Sequence, residues 1–142
     1  MHVLFVCRGN VGRSVMAEAL LLQKAPSPPT VSSAGTKLSG PEQPIGELAP
    51  AINEVLTAMK EIGIDVSGHV RRQVTPEMVA SADVVILTID DNDPVPEYLI
   101  NNPKVVRWDV LDPKGKDIEF TRRTRNQISA LIDVFIEEHK LL

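Results

Sequence analysis

The chain has 142 residues, of which 43% are hydrophobic, a size at which one domain with a single core is the default expectation. The formal net charge of -4 and the sequence pI of about 5.3 argue against a basic protein that binds nucleic acid or an acidic membrane surface. The single cysteine excludes an internal disulfide, and the sequence shows neither a leader-like start nor an apolar run of about 18 residues, so we expect a cytoplasmic protein.

Apolar runs alternate with helix-forming segments along the first half of the chain. A strand is predicted over residues 2–6 and a helix over residues 14–23, which the proline-rich segment 25–29 ends. A second strand is predicted over residues 31–34, and the glycine and proline residues that follow indicate a surface loop up to residue 44. Apolar residues then recur at helical spacing between Pro50 and Gly63, which predicts an amphipathic helix over residues 52–62.

The second half continues the same alternation. Thr75 and Pro76 have the sequence of a helix start, with threonine as the N-cap, and they lead into a buried strand at residues 83–89. A polar turn, a short helix near residues 97–100 and a strand at 104–108 follow, and the last helix reaches from about residue 117 to 139. This order predicts an α/β fold: a single three-layer domain, residues 1–142, with a four-stranded parallel sheet flanked by helices.

Residues 7–14, with the sequence Cys-Arg-Gly-Asn-Val-Gly-Arg-Ser, join the first strand to the first helix. Backbone N–H groups of such a loop can converge at the positive end of the helix dipole and bind inorganic phosphate or a similar oxyanion. Glycines and an asparagine allow the loop to curl tightly. The predicted phosphate-binding loop after strand 1 consists of Arg8, Gly9, Asn10, Val11, Gly12, Arg13 and Ser14.

Cys7 and Arg13 are the candidate catalytic residues of this loop. A helix N-terminus and a nearby cation favour the thiolate form of a cysteine, which is the nucleophilic form. The guanidinium of Arg13 can hold two phosphoryl oxygens and bind them more tightly as charge accumulates in the transition state. A lone cysteine is most often a buried packing residue, but packing does not explain why a thiol, a guanidinium and a flexible loop occur together. We expect Ser14 to cap the helix and to donate to the thiolate.

The segment 6–18, Val-Cys-Arg-Gly-Asn-Val-Gly-Arg-Ser-Val-Met-Ala-Glu, resembles the signature of the low-molecular-weight protein tyrosine phosphatase family. The resemblance continues through segments 33–36, 63–65, 69–75, 82–83 and 112–113, and so covers almost the whole chain. It implies a phosphomonoester hydrolase with a phosphocysteine intermediate on Cys7 and with Arg13 as phosphate clamp. It also implies Asn10 and Ser14 as supports of the loop.

The resemblance further implies that Asp112 is the general acid and that His69 supports the loop asparagine. A carboxyl group at the carboxyl edge of the sheet can protonate the departing oxygen and then activate water. Asp109 is the nearest rival of Asp112, and either residue could simply form a turn. The polar patch of residues 90–93 is interpreted as a solvated turn. The arginines at positions 71, 72, 122, 123 and 125 are interpreted as residues on solvated helix or loop faces.

Departures from the family pattern leave the substrate open. The usual second loop cysteine is Gly12 here, and neither the loop of residues 35–44 nor Lys114 and Gly115 supply a ring that could stack on phosphotyrosine. Arsenate reductases share the loop, so the alternative is arsenate reduction by Cys7 with an external thiol or glutaredoxin. A non-catalytic phosphate-binding relative is the third reading. We expect a phosphorylated protein or small phosphoester as substrate, and no metal, cofactor, nucleic-acid or membrane partner.

Overall fold

A parallel sheet of four strands lies at the centre of the protein, whose computed structural model describes all residues from 1 to 142. The strands are β1 (His2–Cys7), β2 (Thr30–Gly35), β3 (Val84–Ile89) and β4 (Val105–Asp109). Their order in the sheet is β2-β1-β3-β4, and each neighbouring pair is parallel. The predicted fold class is therefore confirmed.

Four helices cover the two faces of the sheet: α1 (Arg13–Lys24), α2 (Asn53–Lys60), α3 (Pro76–Ser81) and α4 (Ile118–Glu138). Val3 and Phe5 of β1 belong to the larger apolar cluster with α1, α2 and α4, whereas Leu4 and Val6 belong to a second cluster with α3. Because successive side chains of a strand point to opposite faces, a strand covered on both sides must be apolar throughout. None of the helices combines the length and apolarity that a membrane crossing requires.

The helix boundaries differ from the predicted ones at specific ends. Thr75 is the N-cap of α3, and its hydroxyl accepts the backbone N–H of Met78 at 3.2 Å, as predicted. The helix predicted over residues 52–62 is shorter, because it begins at Asn53 and ends at Lys60. Gly63 lies shortly after this helix and has a φ of 82°, in the left-handed region. Glycine often adopts this conformation where a helix ends, as the sequence predicted. The predicted short helix near residue 97 is a 3₁₀ turn, Glu97–Leu99.

The topology determines where a ligand can bind. β2 and β3 lie on opposite sides of β1, so the chain changes direction in the sheet at β1. In sheets of this kind the crevice for a ligand lies beyond the carboxyl ends of the strands at such a switch point. The segments that follow β1, β3 and β4 all reach this edge, and they carry the residues described next.

Candidate active site

The loop after β1 ends at a helix N-terminus that has no internal cap. Gly12 is the N-cap of α1, and no side chain bonds the first N–H groups of this helix. Helix α1 also has no acidic residue in its first turn. The first N–H groups of an α-helix have no intrahelical acceptor, so they can bind an oxyanion. The expectation that Ser14 caps this helix is wrong, because Ser14 lies inside the helix and its hydroxyl contacts Cys7 instead.

The left-handed residue of the loop is Asn10. Its φ is 53° and its side chain is fully buried. Neither Gly9 nor Gly12 has a positive φ, but Gly12, with φ of -123° and ψ of -91°, lies outside the regions that other residues usually occupy. Asparagine tolerates the left-handed region better than other non-glycine residues, and here its side chain also forms hydrogen bonds.

Hydrogen bonds orient the amide group of Asn10. Its Oδ1 accepts the backbone N–H of Arg72 at 2.9 Å, so its Nδ2 must be the donor group. Nδ2 donates to Ser14 Oγ at 2.8 Å and to Ser33 Oγ at 3.0 Å. Since Ser14 accepts from Asn10, its own O–H is free to donate to Cys7 Sγ, 3.0 Å away. The backbone N–H of Asn10 donates to the same sulfur at 3.3 Å.

His69 lies behind the loop and not in the cleft. Its Nε2 is 3.0 Å from Asn10 Oδ1, which requires the hydrogen on Nε2. Its Nδ1 faces Glu18 Oε1 at 3.5 Å, and Glu18 accepts from Ser33 Oγ at 2.8 Å. Burial lowers the pKa of His69, helped by the charge of Arg72, and burial raises the pKa of Glu18. Glu18 and Ser33 were not among the predicted site residues, although both belong to segments that resemble the family.

Arg13 is buried, and only the Nη1 group of its guanidinium donates hydrogen bonds to the protein. Its Nη1 donates to Asp93 Oδ2 at 2.7 Å and to the carbonyl oxygen of Val110 at 2.9 Å. Its Nε and Nη2 form no hydrogen bond with the protein, although Nη2 is 3.5 Å from Asp112 Oδ2. Burial would lower the pKa of Arg13, but the bond to Asp93 and the charges of Cys7 and Asp112 raise it above its usual value. The Nε–Nη2 edge is thus available for two phosphoryl oxygens.

The acidic turn after β3 belongs to the site, which corrects its interpretation as a solvated turn. Asp91 is solvated, with a side chain that is 96% exposed, but the side chain of Asp93 is only 3% exposed. Burial would raise the pKa of Asp93, but hydrogen bonds from Arg13 and from the backbone of Asp90 hold it below its usual value. Asp90 Oδ2 also accepts the backbone N–H of Asp112 at 3.2 Å. The turn therefore positions both Arg13 and Asp112.

Asp112 and its rival Asp109 have different surroundings. Asp112 is 37% exposed at the mouth of the site, and Oδ1 accepts the backbone N–H of Lys114 at 3.0 Å. The side chain of Asp109 is 83% exposed and pairs with Arg107 at 2.7 Å. Asp112 lines the same cleft as Cys7, and Asp109 does not.

Comparisons with known proteins show the family of this chain. Residues 2–140 match the family model described as low molecular weight phosphotyrosine protein phosphatase. The chain belongs to this family. It is 31% identical to arsenate reductase 1 of Staphylococcus epidermidis over 133 residues, which are 94% of this chain and 93% of the reductase.

Two solved structures are similar over nearly the whole chain. The low molecular weight protein tyrosine phosphatase from T. tengcongensis is 32% identical, with a TM-score of 0.80 over 97% of this chain and 99% of that one. The YwlE arginine phosphatase is 27% identical, with a TM-score of 0.78 over 99% and 96% of the chains. That YwlE structure is of a cysteine-to-serine mutant with a phosphorylated active-site serine.

The cleft of this family member has a volume of about 710 Å³. Of the predicted phosphate-binding residues, Asn10 and Ser14 are fully buried behind the loop, and the others line the cleft. Phe120, from the first turn of α4, also lines the cleft. The cleft therefore has an aromatic ring, although neither loop 35–44 nor residues 114–115 supply one. Arg71 lines it too and is buried, so the interpretation of this arginine as solvated is wrong.

Proposed function

We propose that the protein is a phosphomonoester hydrolase that works through a phosphocysteine intermediate on Cys7. The observation that carries the proposal is the convergence of Cys7, Arg13 and Asp112 on one cleft at an uncapped helix N-terminus. Membership of a family of cysteine-dependent phosphatases supports the reaction class. The phosphorylated active-site serine of the YwlE mutant supports the site of covalent attachment.

In the first step the Cys7 thiolate attacks phosphorus, so that a P–S bond forms as the P–O bond to the leaving group breaks. Asp112, in its protonated form, gives its proton to the departing oxygen. In the second step a water molecule attacks phosphorus, Asp112 takes a proton from it, and the P–S bond breaks. Inorganic phosphate leaves, and the thiolate and the acid are regenerated.

Arg13 and the loop lower the barriers of both steps. The Nε–Nη2 edge of Arg13 and the N–H groups of the helix N-terminus bind the equatorial oxygens, where negative charge is spread in the transition state. The Ser14 hydroxyl, which donates to Cys7 Sγ, stabilises the thiolate before attack and again when sulfur leaves in the second step. Asn10 keeps this hydroxyl in its donor orientation.

The test is turnover of a small aryl phosphate at mildly acidic pH by the wild type and by Cys7→Ser. We expect release of phosphate by the wild type only, and a phosphoryl group trapped on the serine of the variant, visible by mass spectrometry. A wild type that binds phosphate without releasing any from the ester would identify a non-catalytic relative. A panel of phosphotyrosine, phosphoarginine and phosphoserine substrates then ranks the possible phosphoprotein and phosphoester substrates.

Arsenate reduction is the second candidate, because of the similarity to the staphylococcal arsenate reductase. Cys7 is the single cysteine of the chain, so no second thiol of this chain can attack a Cys7–arsenate adduct. An external thiol or a glutaredoxin would have to supply both the attack and the electrons. Arsenate-dependent oxidation of glutathione with glutaredoxin, lost in Cys7→Ser, would favour this candidate over the phosphatase.

A further inference from the structure

Arg71 is a buried cation in the wall of the catalytic cleft that has no anionic partner. It is only 3% exposed, and no carboxylate of the protein forms an ion pair with it. Its Nε donates to the carbonyl oxygen of Pro41 at 2.8 Å and its Nη1 to Ser39 Oγ at 3.0 Å. These neutral acceptors hold the guanidinium in place and leave its charge uncompensated.

Arg13, the other buried arginine of the cleft, differs from Arg71 because carboxylates surround it. Nη1 or Nη2 of Arg13 lies 2.7 Å from Asp93, 3.5 Å from Asp112 and 3.8 Å from Asp90. Removing an unpaired charge from water is costly, and proteins usually offset that cost with a counter-charge. At Arg13 the protein supplies the counter-charge, whereas at Arg71 it does not.

Arg71 lines the cleft and keeps one nitrogen, Nη2, without a partner. This nitrogen is not among the fully buried side-chain polar atoms that lack a partner. The atom therefore keeps contact with solvent, and the cleft that Arg71 lines also contains Lys37 and Ser39. Because Ser39 accepts from Arg71, its own hydroxyl hydrogen remains free to donate. Lys37 is exposed and forms no ion pair.

We propose that Arg71, Lys37 and Ser39 form a second anion subsite, which binds a carboxylate or phosphate of the substrate while the loop holds the reacting phosphoryl group. This subsite rests on the proposed phosphoester chemistry at Cys7 and narrows its substrate class to esters with two anionic groups. The Nη2 group of Arg71 can donate to the second anion, and the ammonium group of Lys37 adds a flexible charge.

Binding of three phosphonates tests the subsite without relying on turnover. Phenylphosphonate and its meta and para carboxylated forms are titrated by calorimetry into the wild type, Arg71→Gln, Arg71→Lys, Lys37→Gln and Lys60→Gln. Lys60 is an exposed residue of α2 outside the cleft, so its variant is the matched control for loss of one positive charge. The readout is the affinity ratio of the better carboxylated ligand to phenylphosphonate, which a general loosening of the loop would not change.

We expect the carboxylate to improve wild-type affinity by about tenfold at low salt, and Arg71→Gln to remove most of this preference. Arg71→Lys should keep part of it, Lys37→Gln should reduce it, and Lys60→Gln should leave it unchanged. No preference in the wild type for either isomer, or a preference that survives Arg71→Gln, overturns the subsite. Thermal unfolding of each variant shows whether it is folded, and Lys37→Gln, which alters only an exposed side chain, tests the subsite if Arg71→Gln does not fold.

Turnover of the corresponding phosphate esters separates this inference from the proposed function. Cys7-dependent hydrolysis of the esters without any effect of the carboxylate overturns the subsite alone. A carboxylate preference in binding without Cys7-dependent hydrolysis overturns the phosphatase and leaves the subsite standing. Phosphopeptides with glutamate or glutamine beside the phosphorylated residue identify the source of the second anion, since a preference for glutamate indicates a peptide and equal rates indicate a small molecule.

Discussion

The ion pair between Arg13 and Asp93 offers a direct test of how the clamp is built. Asp93→Asn keeps the shape of the side chain and one oxygen that can accept from Arg13 Nη1, but it removes the negative charge. A hydrogen bond to a charged group contributes about 1.5–3 kcal/mol, and full removal of one partner of a buried pair costs about 3–5 kcal/mol. Because Asp90 and Asp112 also lie near Arg13, we expect the lower range, about 1.5–3 kcal/mol.

Thermal unfolding measures this loss, and Asp91→Asn is its matched control. For a chain of this size the loss corresponds to a decrease in Tm of about 5–10 °C. Asp91 lies two residues away, carries the same charge and is almost fully exposed, so its variant should change stability by less than about 0.5 kcal/mol. Hydrolysis of an aryl phosphate should fall in Asp93→Asn and not in Asp91→Asn. Equal stability of the two variants would refute the structural reasoning.

The pH dependence of the same variant follows from the lowered pKa of Asp93. A carboxylate with a depressed pKa in the folded state contributes stability above its unfolded pKa of about 3.9, and this contribution is lost as the pH falls through the folded pKa. The difference in free energy of unfolding between wild type and Asp93→Asn should therefore be constant near neutral pH and shrink below about pH 4. A difference that stays constant into strong acid would contradict the assignment.

Four further substitutions, one of them the control Asp109→Asn, probe the remaining parts of the site. Asp112→Asn should lower kcat by about 10²- to 10⁴-fold on esters with poor leaving groups and less on activated aryl esters, whereas Asp109→Asn should leave both rates near wild type. Asn10→Gly keeps the left-handed torsion but removes the bond that orients Ser14, so kcat should fall while the fold is retained, as circular dichroism can show. His69 has a lowered pKa, so its neutral form favours folding and stability rises as the pH rises from its folded pKa to about 6.5. This rise should be weaker in His69→Gln, in urea titrations across that range, and an unchanged rise would mean that folding does not lower the pKa of His69.

The local order of residues was sufficient to predict that Cys7 and Arg13 lie in one loop before a helix N-terminus. Strand, loop and helix follow each other without interruption in residues 2–24, so the positions of Cys7 and Arg13 relative to the helix N-terminus depend only on nearby residues. The buried, continuous apolar strands β1 and β3 predicted the parallel sheet for the same reason, because a strand covered on both faces needs no distant information to be recognised. Asp112 came from the family resemblance, since its distance along the chain from Cys7 hides its proximity.

The sequence by itself therefore determined the fold class and the placement of Cys7 and Arg13 in one loop, and the tertiary structure decided what surrounds them. Asp93 is 80 residues from Arg13 along the chain, and an aspartate in a polar turn has the same local pattern whether it is solvated or paired. Arg71 and Phe120 likewise have ordinary local sequences, and their place in the cleft follows from how loop 35–44 packs at the end of β1 and how helix α4 packs against α1 and α2. Parallel strands bring their carboxyl ends to one edge of the sheet, and this convergence of distant segments is information that no local pattern contains.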